Sequence, residues 1–147
     1  MDIFIATHGN MSDGLKDAAN VIVGMTNNIK TFNLLTDTPV EELGSQINTA
    51  LAEVGEEGAV ILTDLVSASP WNQSRLAINE LASDNKENIY VIGGVNLPML
   101  LEAINHQLIK TPVAEAAEAL EKQGKNSIDS WNIKELSQVD TDDDDDF

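Results

Sequence analysis

The sequence contains no cysteine among its 147 residues. That absence excludes disulfide bonds, thiolate nucleophiles and metal sites built on cysteine ligands. Aromatic residues make up only 4% of the chain, so the core must consist mainly of aliphatic side chains. Histidine is also scarce, because His8 and His106 are the only two. A nucleophilic mechanism in this chain therefore has few candidate residues.

Positive charge is scarce as well. Eight Lys and Arg residues stand against 25 Asp and Glu residues, which gives a formal net charge of −17. Nucleic acids and anionic membranes attract basic surfaces, so this composition argues against binding to either, whereas a basic protein partner is compatible with it. Six acids lie among the last eight residues, and the remaining 19 acids against 8 bases leave −11.

Long hydrophobic runs are missing too. No apolar run reaches the roughly 18 residues that a membrane-spanning helix needs. The first ten residues, MDIFIATHGN, place an acid where a secretory signal needs bases, and their apolar stretch is short. These features predict a soluble, cytoplasmic protein, and its length predicts one domain.

Short apolar segments alternate with helical patterns along the chain. The predicted strands are 3–7, 29–35, 59–63 and 89–92, and the predicted helices are 12–24, 39–54, 70–82, 97–108 and 112–123. Strands that alternate with helices form parallel sheets with right-handed crossovers. The pattern predicts an α/β fold with an open, doubly wound sheet of four parallel strands in the order 2-1-3-4 and helices on both faces.

Two residues that follow neighbouring strands form a candidate site. Ligands bind such sheets at the carboxyl ends of the strands, near the reversal of strand order. In the order 2-1-3-4, His8 after the first strand and Asp64 after the third face each other. A carboxylate fixes the imidazole tautomer, so the second ring nitrogen can act as a nucleophile or base. The alternative is a solvent-facing loop histidine and an acid at a helix start.

Each of the other polar residues near the carboxyl edge of the sheet has both a functional and a structural interpretation. Ser67 and Ser69 precede a helix led by Pro70, and the free N–H groups of a helix start form a natural oxyanion site. Ser69 is explained equally well as an N-cap. Thr7 and Thr63 either hydrogen-bond the pair or end their strands.

Several signatures are absent or weak. No GxxxxGK[ST], GxGxxG or GxSxG motif occurs, which counts against a P-loop, a standard dinucleotide site and an α/β hydrolase. His106 has no second ligand at metal spacing and is interpreted as an ordinary helical surface residue. The acidic run 142–146 lacks the glycine and spaced ligands of an EF-hand loop, so a solvated tail is expected. We expect no metal site.

Three segments, in this order and spacing, carry a specific resemblance: IFIATHGNMSDGLKDAANVIVG, ILTDLVSASPWNQS and IGGVNLPMLLEAI. Over roughly residues 1–130 the chain resembles the mannose-family IIA (EIIA) domains of the bacterial phosphoenolpyruvate-dependent sugar phosphotransferase system. The resemblance implies a phosphotransferase component that takes a phosphoryl group from HPr onto a histidine. It then passes the group to a IIB component, and membrane IIC and IID components act further downstream in sugar uptake.

The resemblance also assigns roles to residues. It implies that His8 is the phosphoryl acceptor, Asp64 the aspartate that orients it, and Ser69 a serine that holds the phosphoryl group. The further phosphoryl-binding candidates are Ser67, Thr7 and Gly9. Family members often have Gly-Gly-Ser-Pro where this chain has SASP at 67–70. Without the glycines, we expect the backbone to approach the phosphoryl group less closely. The Ser67 hydroxyl is expected to supply a contact in exchange. No metal or organic cofactor is required.

The implied organisation has three parts. Residues 1–125 form the IIA phosphocarrier domain, 126–135 an antiparallel fifth strand exchanged between subunits of a homodimer, and 136–147 an acidic disordered tail. The linker and IIB domain fused in some members are absent, so a free-standing IIA is expected. The sugar cannot be read here, because a IIA domain never contacts it.

Two other functions remain open on the sequence. One is the phosphoryl-carrier subunit of a dihydroxyacetone kinase, whose first domain resembles this family, although the NLPMLLEA segment favours the sugar system. The other is a non-catalytic regulatory binding module that uses the same face without a phosphoryl intermediate. An intact His8–Asp64 pair counts against that module.

Overall fold

The computed structural model describes residues 1–82 and 84–137, which form a parallel sheet covered by helices on both faces. The elements in chain order are β1 (Asp2–His8), α1 (Met11–Val23), β2 (Lys30–Leu34), α2 (Val40–Leu51), β3 (Ala59–Thr63), α3 (Ser69–Asn79), β4 (Ile89–Ile92), α4 (Leu97–Leu108) and α5 (Val113–Asn126). Short 3₁₀ helices cover Asp84–Asn88 and Ile133–Ser137. Residues 138–147, most of the predicted acidic tail, lie outside the described residues.

The sheet has the strand order β2-β1-β3-β4, and every neighbouring pair is parallel, which confirms the predicted topology. Side chains alternate between two cores along the central strands. Ile3 and Ile5 of β1 pack with residues of α1, α4 and α5 on one face. Phe4 and Ala6 pack with residues of α2 and α3 on the other. Burial of both faces explains why these strands read as continuous apolar runs.

Two helices near the carboxyl edge begin differently from the prediction. α1 begins at Met11 after the N-cap residue Asn10, one residue before the predicted start at residue 12. α3 begins at Ser69 after the N-cap residue Ala68, so of the two interpretations of Ser69 the N-cap one is wrong. Neither Asn10 nor Ala68 makes a side-chain capping bond. Side-chain capping by these two residues therefore does not determine where the helices start.

The candidate fifth strand is not formed in the single chain. Asn126 ends α5, and residues 127–132 have no regular secondary structure. Three large apolar side chains of this segment, Ile128, Trp131 and Ile133, are exposed. An exchanged strand requires a second chain, so it stays a prediction. Among the described residues, no helix is both long and apolar enough to cross a membrane.

Candidate functional site

The pairing of β1 with β3 brings His8 and Asp64 together, as the sequence predicts. His8 is the last residue of β1 and Asp64 follows β3 directly. The His8 ring nitrogen Nδ1 lies 2.7 Å from Oδ2 of Asp64. The backbone N–H of His8 donates to the same Oδ2 at 3.0 Å. One carboxylate oxygen therefore holds both the main chain and the ring of the histidine.

The charge of Asp64 decides the proton arrangement on His8. Burial raises the pKa of Asp64, but the hydrogen bonds from the His8 backbone and ring outweigh burial and hold that pKa below its ordinary value. An ionised carboxylate only accepts hydrogen bonds, so we assign the His8 proton to Nδ1. Nε2 then carries the lone pair. The His8 side chain is 47% exposed while that of Asp64 is 11% exposed, so the imidazole is accessible and the carboxylate is largely buried.

The turn after His8 opens into a shallow cleft of about 550 Å³, lined by His8, Gly9, Asn10, Leu34, Leu35, Thr36 and Asp37. The Gly9 N–H donates to the Leu34 carbonyl at 2.8 Å, which ties the turn to β2. Gly9 has φ +57°, and a Cβ built there meets nothing within 4 Å. The backbone conformation, not crowding, therefore favours glycine at this position.

Ser67 adopts a conformation that is usual for glycine. Its φ is 66°, in the left-handed region, whereas Ala68 is extended at φ −88° and ψ 178°. The preceding Val66 packs directly on Gly93, where a Cβ would lie 2.5 Å from its Cγ2 atom. Position 67 thus has a glycine-like backbone conformation although it is occupied by serine.

We expect Ser67→Gly to raise the free energy of unfolding by about 0.5–1 kcal/mol. Relief of roughly 1–2 kcal/mol of left-handed strain exceeds the roughly 0.5–1 kcal/mol of extra chain entropy that glycine loses on folding. Urea denaturation measures the change. Ala68→Gly is the matched control, because its extended backbone gains nothing and the variant should lose stability. Equal destabilisation by both substitutions would contradict the account of Ser67.

The other predicted phosphoryl contacts lie in different surroundings. The Thr7 hydroxyl is fully buried and accepts the Ser12 N–H at 2.8 Å. Because neighbouring side chains of a strand point to opposite faces, Thr7 points away from the face that His8 takes, so the structure does not support a direct phosphoryl contact by Thr7. Ser69 is half-buried in the first turn of α3 and Ser67 is exposed in the loop before it. The phosphoryl contacts of Ser67, Ser69 and Gly9 remain predictions.

Thr63 ends β3, which is one of its two sequence interpretations, whereas His106 differs from its interpretation. The Thr63 hydroxyl is buried and has no hydrogen-bond partner in the described part of the chain. The side chain of His106 is only 14% exposed, so the expectation of a surface residue is wrong. Its Nε2 lies 2.9 Å from Glu102 and its Nδ1 lies 2.7 Å from the Thr111 hydroxyl. His106 thus fastens the end of α4 to the segment that follows it.

A group of exposed apolar residues near His8, called the apolar rim, was not predicted from the sequence. Four large apolar residues that follow the carboxyl ends of strands are exposed: Met11 (44%), Leu35 (42%), Leu65 (58%) and Val66 (60%). Exposed apolar residues grouped at one edge mark interaction surfaces. Their position one to three residues after a strand end is the sequence signal that could have revealed them.

The chain matches a known protein family over most of its length. Residues 2–129 match the EIIA-man family model, described as PTS system fructose IIA component. The chain is 32% identical over 104 residues to the mannose-specific EIIAB component of Escherichia coli K12, which is 69% of this chain but 30% of that protein. It is 30% identical over 107 residues to the sorbose-specific EIIA component of Lacticaseibacillus casei, covering 71% of this chain and 73% of that protein. The chain thus spans less than a third of the E. coli relative.

Two solved structures share the fold. EIIA from Streptococcus agalactiae superposes with a TM-score of 0.79 at 22% identity, over 94% of this chain and 98% of that one. The mannose/sorbose-specific IIA subunit from Enterococcus faecalis superposes with a TM-score of 0.77 at 20% identity, over 90% and 95%. These likenesses confirm the predicted α/β fold.

Proposed function

The chain belongs to the mannose family of IIA components of the sugar phosphotransferase system, and we propose that it carries a phosphoryl group on His8. The group arrives from phospho-HPr and leaves for a histidine of a IIB component. The observation that supports this role most directly is the 2.7 Å contact between Nδ1 of His8 and the Asp64 carboxylate. It leaves Nε2 as the attacking atom on an exposed ring.

The proposed transfer is an in-line displacement at phosphorus. The Nε2 lone pair of His8 forms a new N–P bond while the N–P bond of the donor phosphohistidine breaks, and the bonding pair returns to the donor ring. The proton on Nδ1 stays in place, and the Asp64 carboxylate stabilises the positive charge that develops on the ring. In the second transfer the IIB histidine attacks phosphorus, the N–P bond to His8 breaks, and the bonding pair returns to the His8 ring. Such a reaction depends on positioning and electrostatics and needs no metal or organic cofactor in this chain.

The surroundings of His8 suit a protein that must pass its phosphoryl group on to a partner. Among the residues that the structure describes, those that line the cleft beside His8 include no Lys or Arg. We propose backbone and hydroxyl contacts from Gly9, Ser67 and Ser69, with Thr7 acting indirectly through the turn. Such neutral donors stabilise a phosphoryl group less strongly than a clamp of several cations would. The phosphohistidine therefore keeps enough free energy for the next transfer.

The proposed partners dock at the same edge. The apolar rim around His8 offers a contact surface for HPr and for IIB, and the acidic body attracts a basic partner over a longer range. We propose a homodimer through segment 126–135 and a cytoplasmic location. Mannose and sorbose are the sugars named for the relatives, not for this chain. The sugar taken up with the help of this chain depends on its IIB, IIC and IID partners.

Reconstitution tests the proposal. Incubation with Enzyme I, HPr, phosphoenolpyruvate and Mg²⁺ should add one acid-labile phosphoryl group per chain, and a mannose-family IIB should then remove it. Transfer to a dihydroxyacetone kinase nucleotide subunit but not to IIB would support the kinase alternative. Tight HPr or IIB binding without phosphorylation would support a regulatory module and contradict the proposal.

A further inference from the structure

A chain of hydrogen bonds joins the start of α1 to β1 and β2. At its outer end, Asp13 Oδ1 accepts the Thr31 hydroxyl at 2.7 Å and Asp13 Oδ2 accepts the Asn33 side-chain amide at 2.6 Å. The Asn33 carbonyl Oδ1 accepts the Ser12 hydroxyl. The Ser12 N–H donates to the buried Thr7 hydroxyl at 2.8 Å. We call these five residues the turn network.

The charge on Asp13 sets the direction of the whole network. The hydrogen bond from Thr31, then that from Asn33, and the nearby Lys16 charge lower the pKa of Asp13 against the opposing effect of burial. The carboxylate is therefore ionised at neutral pH and only accepts. Asn33 must turn its NH₂ group toward Asp13 and its carbonyl toward Ser12. Ser12 in turn must donate, so each member has one orientation.

The turn network closes on the residues that flank His8. Thr7 immediately precedes His8 in β1, and Ser12 lies in the first turn of the helix that follows it. On the β2 side, the Gly9 N–H bonds to the carbonyl of Leu34, the residue after Asn33. On the β3 side, Asp64 holds the His8 main chain and ring. His8 therefore sits in a short turn that is fastened from both neighbouring strands.

We propose that Asn33 is a positioning residue for phosphoryl transfer at His8, acting through Ser12 and Thr7 on the turn that carries the imidazole. This inference rests on the proposed function. An in-line reaction tolerates little displacement, and a shift of about 1 Å at the attacking atom can cost roughly 100-fold in rate. Asn33 has this effect because both ends of its amide are committed to the first turn of α1, the carbonyl to Ser12 and the NH₂ group to Asp13.

A reciprocal exchange tests the direction of these bonds. In Asn33→Asp, two carboxylates face each other, so we expect the transfer rate at saturating phospho-HPr to fall about 10–100-fold. In the double variant Asn33→Asp with Asp13→Asn, the new amide at 13 donates to the new carboxylate at 33. The Ser12 and Thr31 hydroxyls keep their acceptors, so the rate should recover to within about threefold of the wild type. Asp13→Asn alone removes the charge that fixes the orientation of Asn33, so its rate should lie between those of the wild type and Asn33→Asp.

The readouts separate positioning from stability. Each variant is assayed well below its melting temperature for saturated transfer rate, for urea stability and for the ¹H–¹⁵N signals of the His8 ring. We expect the ring signals to move in Asn33→Asp and to return in the double variant. A loss of stability with unchanged transfer rate and unchanged ring signals would overturn the inference, as would a double variant no faster than Asn33→Asp.

The ring signals do not require phosphorylation. If the wild type accepts no phosphoryl group but its His8 signals still move and return as described, the proposed function fails and the positioning of His8 by Asn33 stands. If the wild type is phosphorylated and Asn33→Asp changes neither the His8 ring signals nor the transfer rate, the inference fails and the proposed function stands.

Discussion

His8→Gln should lose HPr-dependent phosphorylation by about 10⁴-fold or more, the scale seen when a nucleophile is removed from an enzyme. Glutamine keeps a polar side chain next to Asp64, but its amide nitrogen has no lone pair available for attack on phosphorus. No cysteine is present to replace it, and the second histidine lies in a different part of the fold. Quantitative labelling with phosphoenolpyruvate, Enzyme I and HPr measures the loss.

His106→Gln is the matched control, because the chain has two histidines and His106 is committed to Glu102 and Thr111 at the end of α4. This control variant should label at the wild-type stoichiometry, with lower thermal stability. Wild-type labelling of His8→Gln would remove His8 from the acceptor role. Circular dichroism on both variants shows that the fold is retained.

Asp64→Asn should slow the transfer about 10²–10⁴-fold, with little change in the concentration of phospho-HPr that half-saturates it. The carboxamide can present its NH₂ group to Nδ1, which favours the wrong tautomer, and it lacks the charge that stabilises the developing imidazolium. Rapid-quench measurement of the saturated rate tests this. Asp2→Asn, an exposed aspartate at the opposite end of β1, should transfer at the wild-type rate. Equal rates for Asp64→Asn and Asp2→Asn would contradict the orienting role.

Acid titration of stability checks the same residue. The folded pKa of Asp64 is lower than its ordinary value, so the ionised carboxylate adds stability that is complete above an ordinary aspartate pKa of about 3.9. That contribution falls as the pH drops through the lowered folded pKa. The stability difference between wild type and Asp64→Asn should therefore shrink as the pH falls below about 5. A difference that grows as the pH falls below about 5 would contradict the assigned charge.

The sequence contained enough information to predict the sheet and the central pair. Continuous apolar runs such as 59–63 indicate strands buried on both faces, and alternation with helices leaves few topologies. Once β1 and β3 are neighbours, residues directly after them must meet at one edge. The His8–Asp64 contact follows from that geometry together with the chemistry of the two side chains.

The local details of the site depend on contacts between distant segments. Ser69 looks like a cap because serine precedes proline, yet the loop packs Val66 on Gly93 and brings Ala68 to the N-cap position. The left-handed Ser67 lies in the same loop, and residue type alone does not reveal that conformation. The bonds from Asn33 to Ser12 and Asp13 join residues about 20 apart in sequence, so no local pattern exposes the turn network. The fifth strand needs a second chain and stays a prediction.

Site-mapped mass spectrometry of the phosphorylated chain is the most direct measurement. The protein is phosphorylated through Enzyme I and HPr and kept at alkaline pH. The mass of the intact chain is then measured before digestion and peptide mapping. The account predicts a mass increase of one phosphoryl group per chain, located on His8 in the peptide around ATHGN and lost on addition of IIB. A phosphoryl group on His106 or on a serine, or no mass increase at all, would contradict it.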